Sequence, residues 1–507
     1  MKLLKFLFLL CALLYSFSFN LWCVTPDLFY WYNISDFYES DFMQPYSLVL
    51  FYIIKIFTGN NILLYRAIGW IISILSILIP YCVLNNRKQI ICNIHFLAVA
   101  IVLFGPGTVQ IFNPDVFTLL IMAILATFLI KTELKSNSNI IFASLLCAVS
   151  VFFRYPNILS IICVIIYLLL RDAFKKSGIQ NALISVGSFI LFYTILFYIT
   201  YQNINIFSYS AQRLLLAQEE VGPSHGILNL LHVYWDTFRR DFSIFAGVVL
   251  LTSLGIKIFY NKVVEKKYIL KWGLLIIICL FIYAYIRQIW LLYHWMIVYS
   301  FIIISLLLLW AYSAKYNISI KLLTLISIGM VCTAGTDMGL LKIFPFFAAF
   351  MPLCLIRYQK YLSFKKPYFL FLLLSMVFSC QIFYSQFNQC TNSPSIISNT
   401  FILKKDVNIY QNALRDYRKI GSKNNMIYYG VYNGHLMYAV TECKPLYRPS
   451  FWMFDDNEKE IAIISDIIRT NKKCVVMDFT KSQLLAEKLN NYRYNETEFY
   501  NIYKYKH

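Results

Sequence analysis

The apolar run Leu3–Cys23, with Lys2 and Lys5 at its start, leads straight into Thr25-Pro-Asp27-Leu-Phe-Tyr30-Trp-Tyr-Asn-Ile-Ser-Asp36-Phe-Tyr-Glu39-Ser-Asp41-Phe-Met-Gln-Pro45-Tyr46. A shorter apolar segment, Ser47–Thr58, follows and ends in Gly59-Asn-Asn61. The run is long enough to cross a bilayer as a helix, which takes roughly 20 residues. No small-x-small cleavage site follows, because Tyr15-Ser-Phe-Ser-Phe-Asn-Leu-Trp22 is bulky, so the run is expected to stay as the first membrane helix. Acids and aromatics crowded beside its end place polar chemistry at a membrane surface.

The pattern continues along the chain. Of 507 residues, 59% are hydrophobic and 14% charged, well below the roughly one quarter charged of soluble domains. Apolar runs predict thirteen spans, at 3–23, 62–84, 90–106, 114–130, 139–153, 157–170, 180–200, 242–259, 272–286, 289–311, 321–334, 340–356 and 367–386. With the N-terminus inside, the inner loops hold twenty Lys and Arg against only Glu133, Asp172 and Glu265. Reversal would put that excess on the wrong face, so the reading is N-in and C-out. Pro45–Gly59 is then a helix lying on the membrane, because a crossing there would invert every later loop. The net charge of +20 follows from the inner loops, and its scatter excludes a nucleic-acid groove.

Residues 1–386 are expected to form the transmembrane domain, with long outer loops at 24–61 and 201–241. The polar stretch Gln389-Cys-Thr-Asn-Ser-Pro-Ser opens a C-terminal domain, 387–507, outside the membrane. There Val407–Ile420 and Glu458–Thr470 read as helices. Met426-Ile-Tyr-Tyr-Gly-Val-Tyr432 reads as a strand stopped by its glycine, and Lys473-Cys-Val-Val-Met-Asp478 as a buried strand. This alternation predicts a small α/β domain. An oxidising outer compartment permits a disulfide, for which Cys390–Cys443 is the expected pair. No Cys/His spacing of a structural zinc site is present.

Several outer-face residues can carry chemistry. Asp27 sits at the water–lipid boundary, where a partly desolvated carboxylate can act as general base on a hydroxyl; it can equally just end a membrane helix. Asp36 and Glu39 share a face if their stretch is helical, and with Asp41 they can hold an acceptor hydroxyl or a metal. Asp115 follows Asn113-Pro at a helix start, where the macrodipole alone would favour an acid. Arg154 lies at the hydrocarbon edge, at a cost of up to about 2.5–3.5 kcal/mol unless it snorkels or pairs. Lipid phosphate or a carboxylate such as Asp115 would compensate. The Arg239-Arg240 pair suits a diphosphate or an interfacial anchor, and Arg213 and Arg287 repeat the idea singly. Without a Gly-rich phosphate loop on an inner segment, the sequence shows no site for a cytosolic nucleotide.

The order of these features resembles the GT-C glycosyltransferases, among them protein O-mannosyltransferases and aminoarabinose transferases. The resemblance rests on the N-in first helix, Pro26-Asp27-Leu-Phe-Tyr30, Pro45–Gly59 as an interfacial helix, Leu64-Tyr-Arg66-Ala, Asn113-Pro-Asp115 and Val151-Phe-Phe-Arg154-Tyr-Pro156. Leu28 follows Asp27 where many members carry an Asp-Glu pair. The resemblance implies a polytopic GT-C-like helical fold and transfer of a sugar from a polyprenyl-phosphate donor to a glycan, lipid or protein acceptor. It implies Asp27 as base, Asp115 as second acid, and Arg154, Arg239 and Arg240 around the lipid-phosphate leaving group. Members differ in metal use, so a divalent cation stays open. The expected setting is a bacterial inner (plasma) membrane and cell-envelope polysaccharide biosynthesis. Two other classes compete. An O-antigen-type polymerase or ligase would use Arg213, His225 and His232 in a late outer loop, and a flippase would carry charged pairs in mid-span.

Overall fold

The computed structural model describes residues 2–18, 21, 33, 45–59, 61–107, 114–200, 232, 235, 316–332, 344–359, 384, 388, 390–392, 401–420, 425–443, 445–446 and 458–504. The expected spans 242–259, 272–286 and 289–311, and nearly all of 367–386, lie outside these residues, as do most of the two long outer loops. The chain divides into two compact units. One comprises Met1–Phe19, Trp70–Gln110 and Pro114–Tyr384; the other Asn20–Gly69, Ile111–Asn113 and Ser385–His507.

The described residues are mostly helical. The helices are α1 (Lys2–Ser18), α2 (Pro45–Thr58), α3 (Ile62–Leu84), α4 (Arg87–Gly107), α5 (Pro114–Thr132), α6 (Asn137–Phe153), α7 (Leu159–Arg171), α8 (Lys176–Thr200), α9 (Tyr316–Val331) and α10 (Phe344–Gln359). Three of them, over Ile62–Leu84, Asp115–Thr132 and Lys176–Ile199, are long and apolar enough to cross a membrane. Leu3–Ser18, Asn137–Phe153, Tyr155–Arg171 and Tyr316–Val331 are apolar but shorter. Each sits on an expected span. Helix α2 is likewise where an interfacial helix was expected. It ends at Gly59, whose φ of +56° is a left-handed stop that suits glycine. Asn61 then caps the next helix, its Oδ1 accepting from the Leu64 amide at 3.0 Å.

Within the first unit α4 packs on α1 and α10, α6 on α5 and α8, and α9 on α5 and α7. Helix α5 is central: 61% of its apolar window is buried, against 17% for α8. Helix α8 instead exposes Ile179, Leu183, Ile190, Leu191 and Ile195, an apolar face that hydrocarbon tolerates and water does not. Tight contact comes from small residues. Ser144 of α6 meets Ser185 of α8 at 2.9 Å. A side chain on Gly329 of α9 would collide with Phe346.

Cations close the C-terminal end of α5 and the turn that follows it. A helix leaves its last carbonyls without internal partners. Lys321, at the start of α9, reaches the Ile130 carbonyl at 3.4 Å and pairs with the Glu133 carboxylate. Arg171 donates to the carbonyls of Glu133 and Leu134, at 2.9 and 2.6 Å, and to both oxygens of Asp172. Glu133 and Leu134 adopt left-handed φ values of 56° and 51°, which cost non-glycine residues roughly 1–2 kcal/mol each. The two cations hold that turn in place.

The second unit carries a small mixed sheet. A hairpin of β1 (Cys390–Asn392) and β2 (Phe401–Leu403) precedes α11 (Val407–Ile420). Then come β3 (Asn425–Tyr429), α12 (Val431–Thr441), α13 (Glu458–Thr470), β4 (Cys474–Asp478), α14 (Gln483–Lys488), β5 (Arg493–Glu496) and β6 (Asn501–Lys504). The sheet order is β3-β4-β6-β5. Strands β3 and β4 are parallel, with Tyr429 opposite Asp478, and the other pairings are antiparallel. Strand β4 is wholly buried. Ile461, Ile464 and Ile468, spaced along one face of α13, share a core with Ile427, Val476, Leu485 and Tyr503.

Two expectations change here. The strand ends before Gly430 (φ +136°), the glycine expected to stop it, but Val431 and Tyr432, quoted with the strand, open α12 instead. That helix lies so close to β3 that a Cβ on Gly434 would come 2.6 Å from the Tyr428 carbonyl. The expected Cys390–Cys443 disulfide is not formed: Cys443 is a free thiol whose Sγ donates to Tyr417 Oη at 3.6 Å. It follows Glu442, a left-handed cap that ends α12, and its partner is on α11.

These ion pairs give a pH signature. Hydrogen bonds from Lys321 and then Lys135 hold the Glu133 carboxyl below the usual carboxylate range. The bond from Arg171 does the same for Asp172. A depressed folded-state pKa contributes stability that is complete above the unfolded value, about 4, and fades as pH falls through the folded one. The unfolding midpoint in detergent should therefore hold from neutral to about pH 5 and drop below about pH 4. Glu133→Gln should lower the neutral midpoint and flatten that drop. An unchanged acid limb in the variant would remove Glu133 from this role.

Candidate functional site

The N-terminal end of α5 starts with Pro114, whose fixed φ suits the first helical position. Asp115 lies in the first turn, where the helix dipole favours an acid. Helix α6 ends at Arg154 (φ −159°, ψ 115°), because Pro156, two residues on, cannot supply the amide a continuing helix needs. A single 3-10 turn, Tyr155–Ile158, bridges to α7. This break carries the Arg154 side chain inward between α5 and α9.

Arg154 Nε stands 3.3 Å from Asp115 Oδ1, and its Nη1 donates to the Cys332 carbonyl at 3.0 Å. One guanidinium thus joins the start of α5, the end of α6 and the residue after α9. Its side chain is 6% exposed, whereas that of Asp115 is 29% exposed. The cation is set behind and the carboxylate in front. Stacked rings of Phe117 and Phe153, 4.8 Å apart, flank the pair on α5 and α6.

Asn157 completes the junction. It is fully buried, and its amide donates to Thr118 Oγ1 on α5 and to the Ser150 carbonyl on α6, both at 2.9 Å. That carbonyl also accepts from the Arg154 amide at 3.1 Å, and the Asn157 amide donates to the Arg154 carbonyl at 2.9 Å. The strap from 154 to 157 is therefore pinned from both sides. Asn157 was not among the expected site residues; the available signal was an amide directly after proline at the head of an apolar run.

Of the expected site residues the structure brings Asp115 and Arg154 together. Asp27, Asp36, Asp41, Arg213, Arg239, Arg240 and Arg287 lie outside the described residues. Among the described residues no three His, Cys, Asp or Glu side chains gather as metal ligands. Chemically, the partly exposed Asp115 carboxylate can accept a hydrogen bond from a hydroxyl, while the guanidinium behind it fixes its direction. Arg154 itself faces protein partners, a carboxylate and a carbonyl. No protein-family model matches this sequence, and none of the curated proteins matches it either.

A buried guanidinium stripped of its carboxylate is costly. Asp115→Ala should destabilise the protein in detergent by about 2–4 kcal/mol, held down because the carboxylate side keeps some solvent. Adding Arg154→Met should recover part of that loss, with a coupling energy of about 1–3 kcal/mol in a double-mutant cycle. Strict additivity of the two single losses would show that the pair does not hold the junction.

Proposed function

We propose that this chain is a membrane glycosyltransferase of GT-C type, moving a sugar from a polyprenyl-phosphate donor to an acceptor hydroxyl at the outer face of a bacterial inner membrane. The observation that carries this reading is the Asp115–Arg154 junction. It is a carboxylate presented at the outer end of an apolar helix with its counter-charge buried behind it. A membrane helix has no need of such a pair for crossing, and ionisable groups placed there at a cost mark a site.

In this reading Asp27 is the base that takes the proton from the acceptor hydroxyl, and Asp115 is the second acid. The oxygen attacks the anomeric carbon, the bond to the phosphate oxygen breaks with inversion, and polyprenyl phosphate departs. A phosphate is already a good leaving group and needs only electrostatic help. Arg213, Arg239, Arg240 and Arg287 are the outer-face cations suited to give it. Arg154 is a positioning residue that acts through Asp115. The thirteen-span, N-in and C-out topology supplies the setting, placing acids and arginines on the donor's side. Absence of a nucleotide loop in the sequence fits a lipid-linked donor.

The test follows loss of sugar from radiolabelled polyprenyl-phosphate donors with full-length protein in nanodiscs. Wild type should consume at least one donor. Asp27→Ala should slow that turnover at least 100-fold, the lower end of what a general base contributes, and Asp115→Asn should slow it less. Equal turnover in wild type and both variants would remove these residues from the site. A wild type inert towards a panel of such donors would defeat the transferase reading itself.

A further inference from the structure

Helix α11 carries a second feature, unrelated to the membrane helices. Tyr410, Ala413 and Leu414 bury its inner face. A cavity of about 470 Å³ opens beside it, lined by Gln411, Leu414, Arg415, Arg418 and Lys419. Positions 411, 414/415 and 418 follow one another at helical spacing, so the two guanidinium groups lie on one face a turn apart. The volume falls in the range of small-ligand pockets, about 300–1,000 Å³.

The charge there is only partly compensated. Asp416 is the one acid of this helix, and it accepts from Tyr500 Oη at 2.7 Å on the buried side. It reaches Lys419 only at 3.5 Å. Arg415 Nη2 is steadied by a neutral partner, Asn412 Oδ1, at 2.9 Å. Among the described residues Arg418 has no carboxylate partner. One guanidinium fork steadied by Asn412, a second without a carboxylate partner among the described residues, and an ammonium around an open, partly apolar floor suit an anion with several oxygens.

We propose that this cavity binds a compact phosphoryl-bearing anion, with Arg415 and Arg418 gripping phosphoryl oxygens, Lys419 adding charge, and the Gln411 amide donating at the rim. A bilayer surface rewards a flat basic face, whereas a concave site favours a ligand that enters it. The proposal therefore commits to a soluble phosphorylated ligand rather than a lipid headgroup. It stands on α11 alone and survives or fails independently of donor turnover by the membrane domain.

The probe is inorganic pyrophosphate, titrated into full-length protein in detergent and followed by calorimetry. Wild type should bind it, with affinity that weakens as salt rises. Arg415→Gln/Arg418→Gln should weaken binding at least tenfold, and Arg418→Lys should fall between, because it keeps the charge but loses the fork. All four lining polar residues are exposed, so these variants should fold. Lys473→Gln, an exposed cation elsewhere in the domain, should bind as wild type does. Unchanged affinity in the double variant, or no binding by wild type at millimolar pyrophosphate, overturns the proposal. So does a double variant that alters only retention of phosphatidylglycerol through detergent washing, which would make this face a lipid contact.

Discussion

Helix α5 is tied at both ends by buried cations, and the rest of the membrane unit is arranged around that constraint. Asp115–Thr132 is 18 residues, roughly 27 Å at about 1.5 Å per residue, close to the hydrocarbon thickness of a bilayer, about 30 Å. At one end Arg154 fixes Asp115 to α6 and α9. At the other, Lys321 and Arg171 fix Glu133 and its turn to α9 and α7. Between them the helix is apolar and mostly buried. A helix tied by polar contacts at both ends can neither slide along its axis nor rotate without breaking charged hydrogen bonds, each contributing about 1.5–3 kcal/mol.

Such ties give specificity more than bulk stability. Removing a charge from water costs several kcal/mol, and a good pairing roughly offsets that cost. Apolar packing in lipid is not sensitive to register, since hydrocarbon solvates every apolar face alike, so polar contacts and close-packed small residues must select the register. Ser144 against Ser185, and Gly329 against Phe346, supply the small-residue contacts. The arginine and lysine ties supply the polar ones. The same device presents the Asp115 carboxylate at a fixed place.

Much of this was legible in the sequence because a membrane enforces a strong pattern. The apolar runs over 62–84, 114–130 and 180–200 coincide with helices long enough to span, and Glu458–Thr470 folds as a helix over the residues read. Arg154, an arginine at the hydrocarbon edge in need of a partner, could be matched in advance with Asp115. What stayed hidden depends on tertiary context. Strands β5 and β6 carry Arg493, Asn495, Glu496, Asn501 and Lys504, and pair only because β4 supplies an edge. Helix α12 opens with Val431-Tyr432 and contains Gly434, poor local signals that close packing on β3 overrides. Asn157 acquires its role only when α5, α6 and α7 meet. Cys443 looked like half of a disulfide because sequence spacing says nothing of the direction in which a cap points its side chain.

The account turns on which end of α5 faces out, since the ligand side, the role of Asp115 and the sense of every loop follow from it. Membrane-impermeant maleimide labelling, read residue by residue through peptide mass, decides this. Two single substitutions suffice: Lys135→Cys, beside the Glu133 turn, and Ile158→Cys, in the strap beside Arg154, both exposed. Ile158→Cys should label in cells with an intact inner membrane, and Lys135→Cys only after that membrane is permeabilised. Labelling of Lys135→Cys in intact cells, or of Ile158→Cys only after permeabilisation, would contradict the account.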